Sequence, residues 1–413
     1  MTRLDGRTVL VGVTGGIACY KACEIVRLLV GAGAKVSVVM TAAAREFVTP
    51  LTLQTLSGQP VATDTFDLGQ EAQIGHIRLA DAADVVLVAP ATANILAKMA
   101  QGIADDLLTT VLLATRAPLV VAPAMNVNMW EHPAVQQNLA TLVARGARVV
   151  GPGSGALACG WEGRGRLAEP ADVVEAVVTA LTPQDLAGEH VLVSAGPTQE
   201  PVDPVRYLSN RSSGKMGFAI ARMARRRGAR VTLVAGPTAL AAPLGVEVVR
   251  VATAAEMARA VDAAFTTATV VVMTAAVADY RPRRPLARKM KKGPAALTLE
   301  LERNPDILAG LARKKGRRTI VGFAAETHDV ADEARRKLRE KRLDLIVAND
   351  VTAPGVGFGA DDNAVRLFDA GGGDTTLDAR PKDAVADAIL DWVAKQRRQA
   401  DPRYISGRNR TRA

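Results

Sequence analysis

The sequence predicts the α/β class, as two doubly wound parallel-sheet domains in one chain. Three observations carry this. Short β-branched runs alternate with segments of helical length, the runs are apolar throughout, and the pattern stops and restarts near the middle of the 413 residues. A strand that is apolar on both faces belongs to a sheet covered by helices on both sides, which is the parallel arrangement. With 48% hydrophobic and 23% charged residues, a chain of this length can bury two ordinary cores.

The first series of strands reads "TVLVGV", "KVSVVM", "DVVLVAP", "PLVVAP" and "ARVVGP". The polar stretch "LTPQDLAGEH", punctuated by Pro183 and Gly188, ends it. The second series reads "HVLVSAG", "RVTLVAG", "VEVVRV", "TVVVMTAA", "TIVGFAA" and "LDLIVAND". Domains over residues 1–185 and 186–398 follow, with a basic tail over 399–413 to which no function attaches. Ligands of open parallel sheets bind beyond the carboxyl ends of the strands, so the loops after each strand are the candidate sites.

Charge is uneven. Residues 1–180 hold 13 basic and 15 acidic side chains, and the remainder holds 39 and 27. A basic second half suits an anionic partner such as a small polyphosphate. Only 3% of residues are aromatic, which leaves few rings for base stacking and argues against nucleic acid. There is no signal-peptide layout and no apolar run of spanning length, so a cytoplasmic location without a membrane partner is expected. Three cysteines without a CxxC give neither a disulfide framework nor a zinc site, and Cys19 and Cys23 read as packing residues.

"GVTGGIA" follows the first strand and opens a helix, so the amides of Gly15 and Gly16 are placed to hold a phosphate. The stretch is not GxGxxG. At the end of the second strand, "VVMTAAA" offers Thr41 where a dinucleotide site needs a carboxylate. That argues against NAD and for a mononucleotide such as FMN. Thr92 and Asn94 in "APATANILAKMA" add polar groups at the same sheet edge. "GSGALACGWEGRGRL" (153–167) puts Cys159, Arg164 and Arg166 among five glycines and reads as a loop that closes over an anionic substrate. "SSGKMG" lacks the GxxxxGK[ST] pattern and is not a Walker motif. On these residues alone a nicotinamide-dependent oxidoreductase, a basic regulator of nucleic acid and a plain surface connection at 153–167 all remain open.

"PAMNVNMW" (123–130), with "LACGWEGRGR" and "IGHIRLA", resembles the flavin-containing cysteine decarboxylases. "GPTQEPVDPVRYLSNRSSGKMG" (196–217), "AAVADYRP", "NPDIL", "VGFAAET" and "LIVAND" resemble the phosphopantothenate–cysteine ligases. Over about residues 5–398 the chain is therefore similar to the bifunctional flavoproteins of bacterial coenzyme A biosynthesis. The resemblance implies a flavodoxin-like first domain that forms trimers and a Rossmann-like second domain that forms dimers, combining into a dodecamer. It implies ligation of L-cysteine to 4′-phosphopantothenate through an acyl-cytidylate made from CTP with Mg2+. FMN-dependent decarboxylation to 4′-phosphopantetheine then follows.

The family's roles carry over to matching positions. His76 is a proton-transfer group, Asn126 binds the carboxylate that is lost, and Cys159 donates a proton to the ene-thiol. A thiol of reference pKa about 8.5 is protonated near neutrality and can do so. Met129, Ala158, Gly160 and Arg206 are the remaining substrate contacts. In the ligase half, Asn210 is tied to conversion of the acyl-cytidylate and Lys289, in "RKMKK", to the triphosphate. Asp279, Pro305, Asp306, Ile307, Leu308, Phe323, Lys337 and Lys341 complete the implied CTP site, with Asp279 a possible Mg2+ ligand. His132, His190 and His328 receive no role.

Overall fold

The computed structural model describes residues 4–65, 75–156, 160–291, 298–326, 329–350 and 359–400. The chain divides into two compact units, Met1–Thr182 and Pro183–Ala413.

The strands of the first unit are β1 (Thr8–Val13), β2 (Lys35–Met40), β3 (Val61–Ala62), β4 (Val85–Ala91), β5 (Leu119–Pro123), β6 (Arg148–Val149), β7 (Gly153–Ala156) and β8 (Glu162–Arg166). One parallel sheet has the order β3-β2-β1-β4-β5-β6. Without the two-residue edge strand β3, this is the flavodoxin strand order. Val9, Val11 and Val13 of β1 pack against the helices Cys19–Gly31 and Pro170–Leu181, through Ile25, Leu29, Val173 and Val177. Leu10 of β1, with Val86 and Val88 of β4, packs on the opposite face against helices that include Ala93–Gln101 and Leu107–Ala114. Each fully buried Val or Leu stabilises by about 1.5–3 kcal/mol, so covering both faces explains why these strands lack polar alternation.

The second unit holds β9 (His190–Ala195), β10 (Gln199–Pro201), β11 (Tyr207–Ser209), β12 (Arg230–Ala235), β13 (Glu247–Arg250), β14 (Val270–Met273), β15 (Tyr280–Pro282), β16 (Leu301–Arg303), β17 (Thr319–Glu326), β18 (Leu345–Asp350), β19 (Asp362–Asp369) and β20 (Asp374–Pro381). The main sheet runs β13-β12-β9-β14-β17-β18-β19-β20. It is parallel through β18, and β19 and β20 join it antiparallel. The pairs β10–β11 and β15–β16 form small separate hairpins. Arg227, buried at the end of the helix Lys215–Arg226, binds Asp185 at 2.6 Å and Asp391 of the closing helix Lys382–Ala400 at 2.8 Å. That pairing compensates a guanidinium taken out of water.

Three sequence expectations are corrected. Residues 153–156 and 162–166 are not an open loop. β7 and β8 form an antiparallel pair, with Ser154 opposite Arg164 and Ala156 opposite Glu162. The glycines that suggested flexibility permit close backbone approach instead, as shown below. Strands β19 and β20 were not anticipated because their residues are partly exposed, and a search for wholly apolar runs passes over such edges. The last helix runs through Ala400, past the expected start of the tail at 399. Among the described residues, no helix is long and apolar enough to cross a membrane.

Candidate functional site

A cavity of about 600 Å³ lies at the carboxyl end of the first sheet. Three chain segments shape it. After β1, Thr14 Oγ1 donates to the Pro90 carbonyl at 2.6 Å and accepts from Thr92 N at 3.2 Å, joining the loops after β1 and β4. Thr92 also caps the helix Ala93–Gln101, its hydroxyl accepting from Ile95 N at 3.3 Å. A side chain at Gly15 would collide with Ala43, so glycine is what lets the loop after β2 close in. Thr41 caps the short helix in that second loop, accepting from Ala44 N at 3.3 Å.

The third segment follows β5. Asn126 Oδ1 accepts from Asn128 N at 2.8 Å, which orients the carboxamide at the start of the helix Val127–Glu131. Strand β8 docks on this segment, with Met125 N donating to the Gly165 carbonyl at 2.9 Å. Gly163 and Gly165 both have φ +152°, where glycine is favoured. A Cβ at Gly165 would strike the Met125 carbonyl, and one at Gly163 would meet Val127 Cγ2 at 2.8 Å. Gly163 and Gly165 are therefore the condition for β8 to lie against the Met125–Val127 segment.

Gly15, Gly16, Thr92, Asn126 and Met129 line this one cavity, and Arg166 reaches it from β8. Thr41, whose amide donates to the Val13 carbonyl at 3.1 Å, is not in the lining. Asn94 is exposed on its helix, Gly160 is exposed on the hairpin, and neither lines the cavity. Arg164 lies over the Trp130 ring at 5.8 Å. Cys159 and Ala158 lie outside the described residues. His76 does not line the cavity. Its helix, Gly75–Ala82, packs through Ala80 on the sheet face opposite the helix Cys19–Gly31. Sequence reasoning missed Lys21, a buried lysine in the lining. The free amides of a glycine loop, a side chain excluded at Gly15 and a buried cation together fit a phosphate-bearing mononucleotide.

A second cavity, of about 510 Å³, lies within the second unit. Asn210, Lys215, Ala275, Val277, Phe323 and Lys382 are among its walls. Asn210 Nδ2 donates to the Val277 carbonyl at 3.0 Å, so its amide is held across the cavity floor. Of the expected nucleotide residues only Phe323 lines this cavity; Asp279, Pro305, Asp306, Ile307, Leu308, Lys337 and Lys341 do not. Asn304 N donates to the Asp279 carbonyl at 2.8 Å, and Asn304 Nδ2 to the Ala278 carbonyl at 2.9 Å. Asp306 then caps the helix Ile307–Arg313, accepting from Ala309 N at 2.9 Å, and pairs with Lys341 at 2.9 Å. Burial works to raise the Asp306 carboxyl, but the Ala309 amide and Lys341 outweigh it and hold it below the usual carboxylate range. Lys337 sits one turn before Lys341 on the helix Val330–Glu340.

Lys289 is exposed on the arm between β15 and β16. Its neighbour Met290 is clamped: Met290 N donates to Asp203 Oδ2 at 3.1 Å, and Arg206 Nη1 donates to the Met290 carbonyl at 3.3 Å. Asp203 is buried and also accepts from the amides of Val205 and Arg206. Arg206, expected at the substrate, spends this guanidinium nitrogen as a brace for the Lys289 arm, pairing with Asp203 at 3.1 Å. Lys215 and Lys382 were not expected. Lys215 Nζ binds Asp361 at 2.7 Å, and Lys382 Nζ binds the Asp362 carbonyl at 2.9 Å. Lys215 was visible in "SSGKMG", whereas Lys382 follows the unanticipated hairpin and gave no signal. His132 caps the helix Pro133–Ala144, and His190 is buried between Thr232 and Thr267. Among the described residues, no group of three or more His, Cys, Asp or Glu gathers as a metal site.

Residues 1–182 match the family described as Flavoprotein, and residues 186–396 match the C-terminal domain of the DNA/pantothenate metabolism flavoproteins. The chain is 49% identical over 404 residues to the coenzyme A biosynthesis bifunctional protein CoaBC of Bacillus subtilis, covering 97% of this chain and 100% of that protein. It is 48% identical over 395 residues to the CoaBC of Escherichia coli strain K12, covering 94% of this chain and 97% of that one. The solved C-terminal domain of a CoaBC protein is 42% identical, with a TM-score of 0.45, and the match covers 52% of this chain and 97% of that domain. The chain belongs to the bifunctional coenzyme A biosynthesis family, in which a flavoprotein decarboxylase domain and a ligase domain share one polypeptide.

Proposed function

We propose that the second unit joins L-cysteine to 4′-phosphopantothenate with CTP and Mg2+, and that the first unit decarboxylates the product to 4′-phosphopantetheine with FMN. The carrying observation is the meeting of the Gly15–Gly16 loop, Asn126 and the β7–β8 hairpin around one cavity. When bound there, FMN supplies the two-electron acceptor that makes the cysteinyl carboxylate able to leave as CO2. The amides of Gly15 and Gly16, with Thr92, hold its phosphate. Asn126 orients the departing carboxylate, and the hairpin excludes water. Cys159, carried between β7 and β8, hands a proton to the ene-thiol product of decarboxylation.

His76 serves this cavity from a neighbouring copy, since its own helix packs on the far face of the sheet. The trimers implied by the resemblance supply such a copy. Mixing His76→Asn chains with Asn126→Asp chains, each inactive as a decarboxylase, should restore activity after unfolding and joint refolding. Mixtures as inactive as either parent would place His76 and Asn126 in the same copy or remove one from the reaction.

In the ligase half, Lys289, Lys337 and Lys341 offset charge on the triphosphate, and Mg2+ arrives with the nucleotide. Asn210 lies nearer the acyl group. Lys289→Gln should therefore lower acyl-cytidylate formation by about 10²-fold, the scale of removing one transition-state contact. Asn210→Asp should form the acyl-cytidylate and accumulate it. Quenched-flow trapping of that species separates the two, and equal accumulation in both variants would refute the division of labour. A cytoplasmic dodecamer, built from trimers of the first unit and dimers of the second, completes the reading.

The decisive experiment incubates the purified chain with 4′-phosphopantothenate, L-cysteine, CTP and Mg2+ and weighs the products. 4′-Phosphopantetheine, CMP and pyrophosphate are expected. A protein that purifies without flavin and releases no pyrophosphate would refute the reading.

A further inference from the structure

Among the described residues, Lys21 is a buried lysine in the wall of the first unit's cavity whose ammonium makes no hydrogen bond. It belongs to the first turn of the helix Cys19–Gly31, directly after the glycine loop, and is 8% exposed. Among the described residues its Nζ is buried without a hydrogen-bond partner, although an ammonium carries three donors. The carboxylate paired with it is Glu169, at 3.7 Å, beyond hydrogen-bond reach. Glu169 is itself 62% exposed and is shared with Arg166, 3.3 Å away. The surrounding wall is largely apolar, with Ile17, Ala18, Met125 and Leu167. A desolvated ammonium in such a wall is costly unless an acceptor completes it, and a long contact to a solvated carboxylate does not.

We propose that Lys21 is the counter-ion for an oxyanion bound in this cavity, a phosphate monoester or a carboxylate. A full negative charge is required, because a neutral carbonyl would leave the buried cation uncompensated. The position, one turn inside the helix that the glycine loop opens, adds the helix dipole to the same pull on an anion. Two molecules of the proposed reaction carry the matching chemistry, the flavin through its phosphate and the decarboxylation substrate through an acid group. Glu169 competes for the same ammonium, so the anion replaces a weak partner with a close one. The proposal rests on the reading of the cavity as a flavin and substrate site.

The test uses the full chain stripped of flavin, as wild type, Lys21→Met, Lys21→Arg and Glu169→Gln. Each is titrated with FMN and with riboflavin, which lacks the phosphate, by quenching of flavin fluorescence. Each is then loaded with FMN, and KM for 4′-phosphopantothenoylcysteine is measured. If the oxyanion is the cofactor's, Lys21→Met weakens FMN at least tenfold and leaves riboflavin unchanged. If it is the substrate's, FMN affinity is unchanged and KM rises at least tenfold. In either case Lys21→Arg retains most of the affinity, and Glu169→Gln tightens the same ligand by removing its competitor.

Equal weakening of FMN and riboflavin, or no change in either arm, overturns the proposal and leaves Lys21 as a packing residue. Weaker binding in Glu169→Gln also counts against it. A wild type that binds neither flavin would instead overturn the reading of the cavity itself. Should Lys21→Met fail to fold, the opposite signs expected for Lys21→Arg and Glu169→Gln still decide the matter.

Discussion

Cys159→Ser should halt the decarboxylase after CO2 is lost, with turnover reduced about 10²- to 10⁴-fold, the range over which a positioned general acid acts. Acidity sets the difference. A thiol of reference pKa about 8.5 is both protonated near neutrality and able to give its proton up, whereas a serine hydroxyl is a far weaker acid. Oxidation and carboxylate loss do not draw on that proton. The variant should therefore release CO2 once per site, accumulate the ene-thiol, and leave the flavin band bleached under anaerobic mixing. His76→Asn, acting earlier, should leave the band unchanged. A Cys159→Ser protein that makes 4′-phosphopantetheine at a near wild-type rate would remove the thiol from the reaction.

Gly165→Ala should abolish decarboxylation as effectively, although residue 165 touches no reacting atom. Alanine at φ +152° costs about 1–3 kcal/mol of backbone strain, before its Cβ meets the Met125 carbonyl. Relief comes only by moving β8 off the Asn126 segment, which breaks the bond from Met125 N to the Gly165 carbonyl. A displacement of about 1 Å at a positioned group costs about 10²-fold in rate, and here both the hairpin and Asn126 shift. Pyrophosphate release by the ligase half should be unchanged, because the second unit has its own core. Gly160→Ala is the control. It shares the positive φ but would meet no atom of the described residues within 4 Å, so it should cost only strain. Equal loss in both variants would show that backbone freedom, not the docking of β8, is what the glycines supply.

Much of the scaffold was legible in the residues. Runs such as "TVLVGV" and "HVLVSAG" are apolar on both faces, and that local property dictates a parallel strand between two helical layers. The Gly15–Gly16 loop and the "PAMNVNMW" stretch lie beyond such strands, which by itself places them at one sheet edge. The β7–β8 and β19–β20 pairs escaped, since glycine-rich and half-exposed edge strands carry no wholly apolar run.

By itself, the sequence determined the order of the wholly apolar strands and of the helices between them, and the glycines and polar residues in the loops that follow those strands. These depend on neighbours a few positions apart, where periodicity and turn chemistry act. The tertiary structure alone decided which groups meet. It set Lys21 beside Glu169 with no close acceptor, tied Arg206 and Asp203 to Met290, and turned His76 to the far face of its sheet. It also showed that Gly165 is glycine because Met125 lies against it. Burial and the choice of hydrogen-bond partner are set by residues distant in sequence, so no local pattern of residues encodes them.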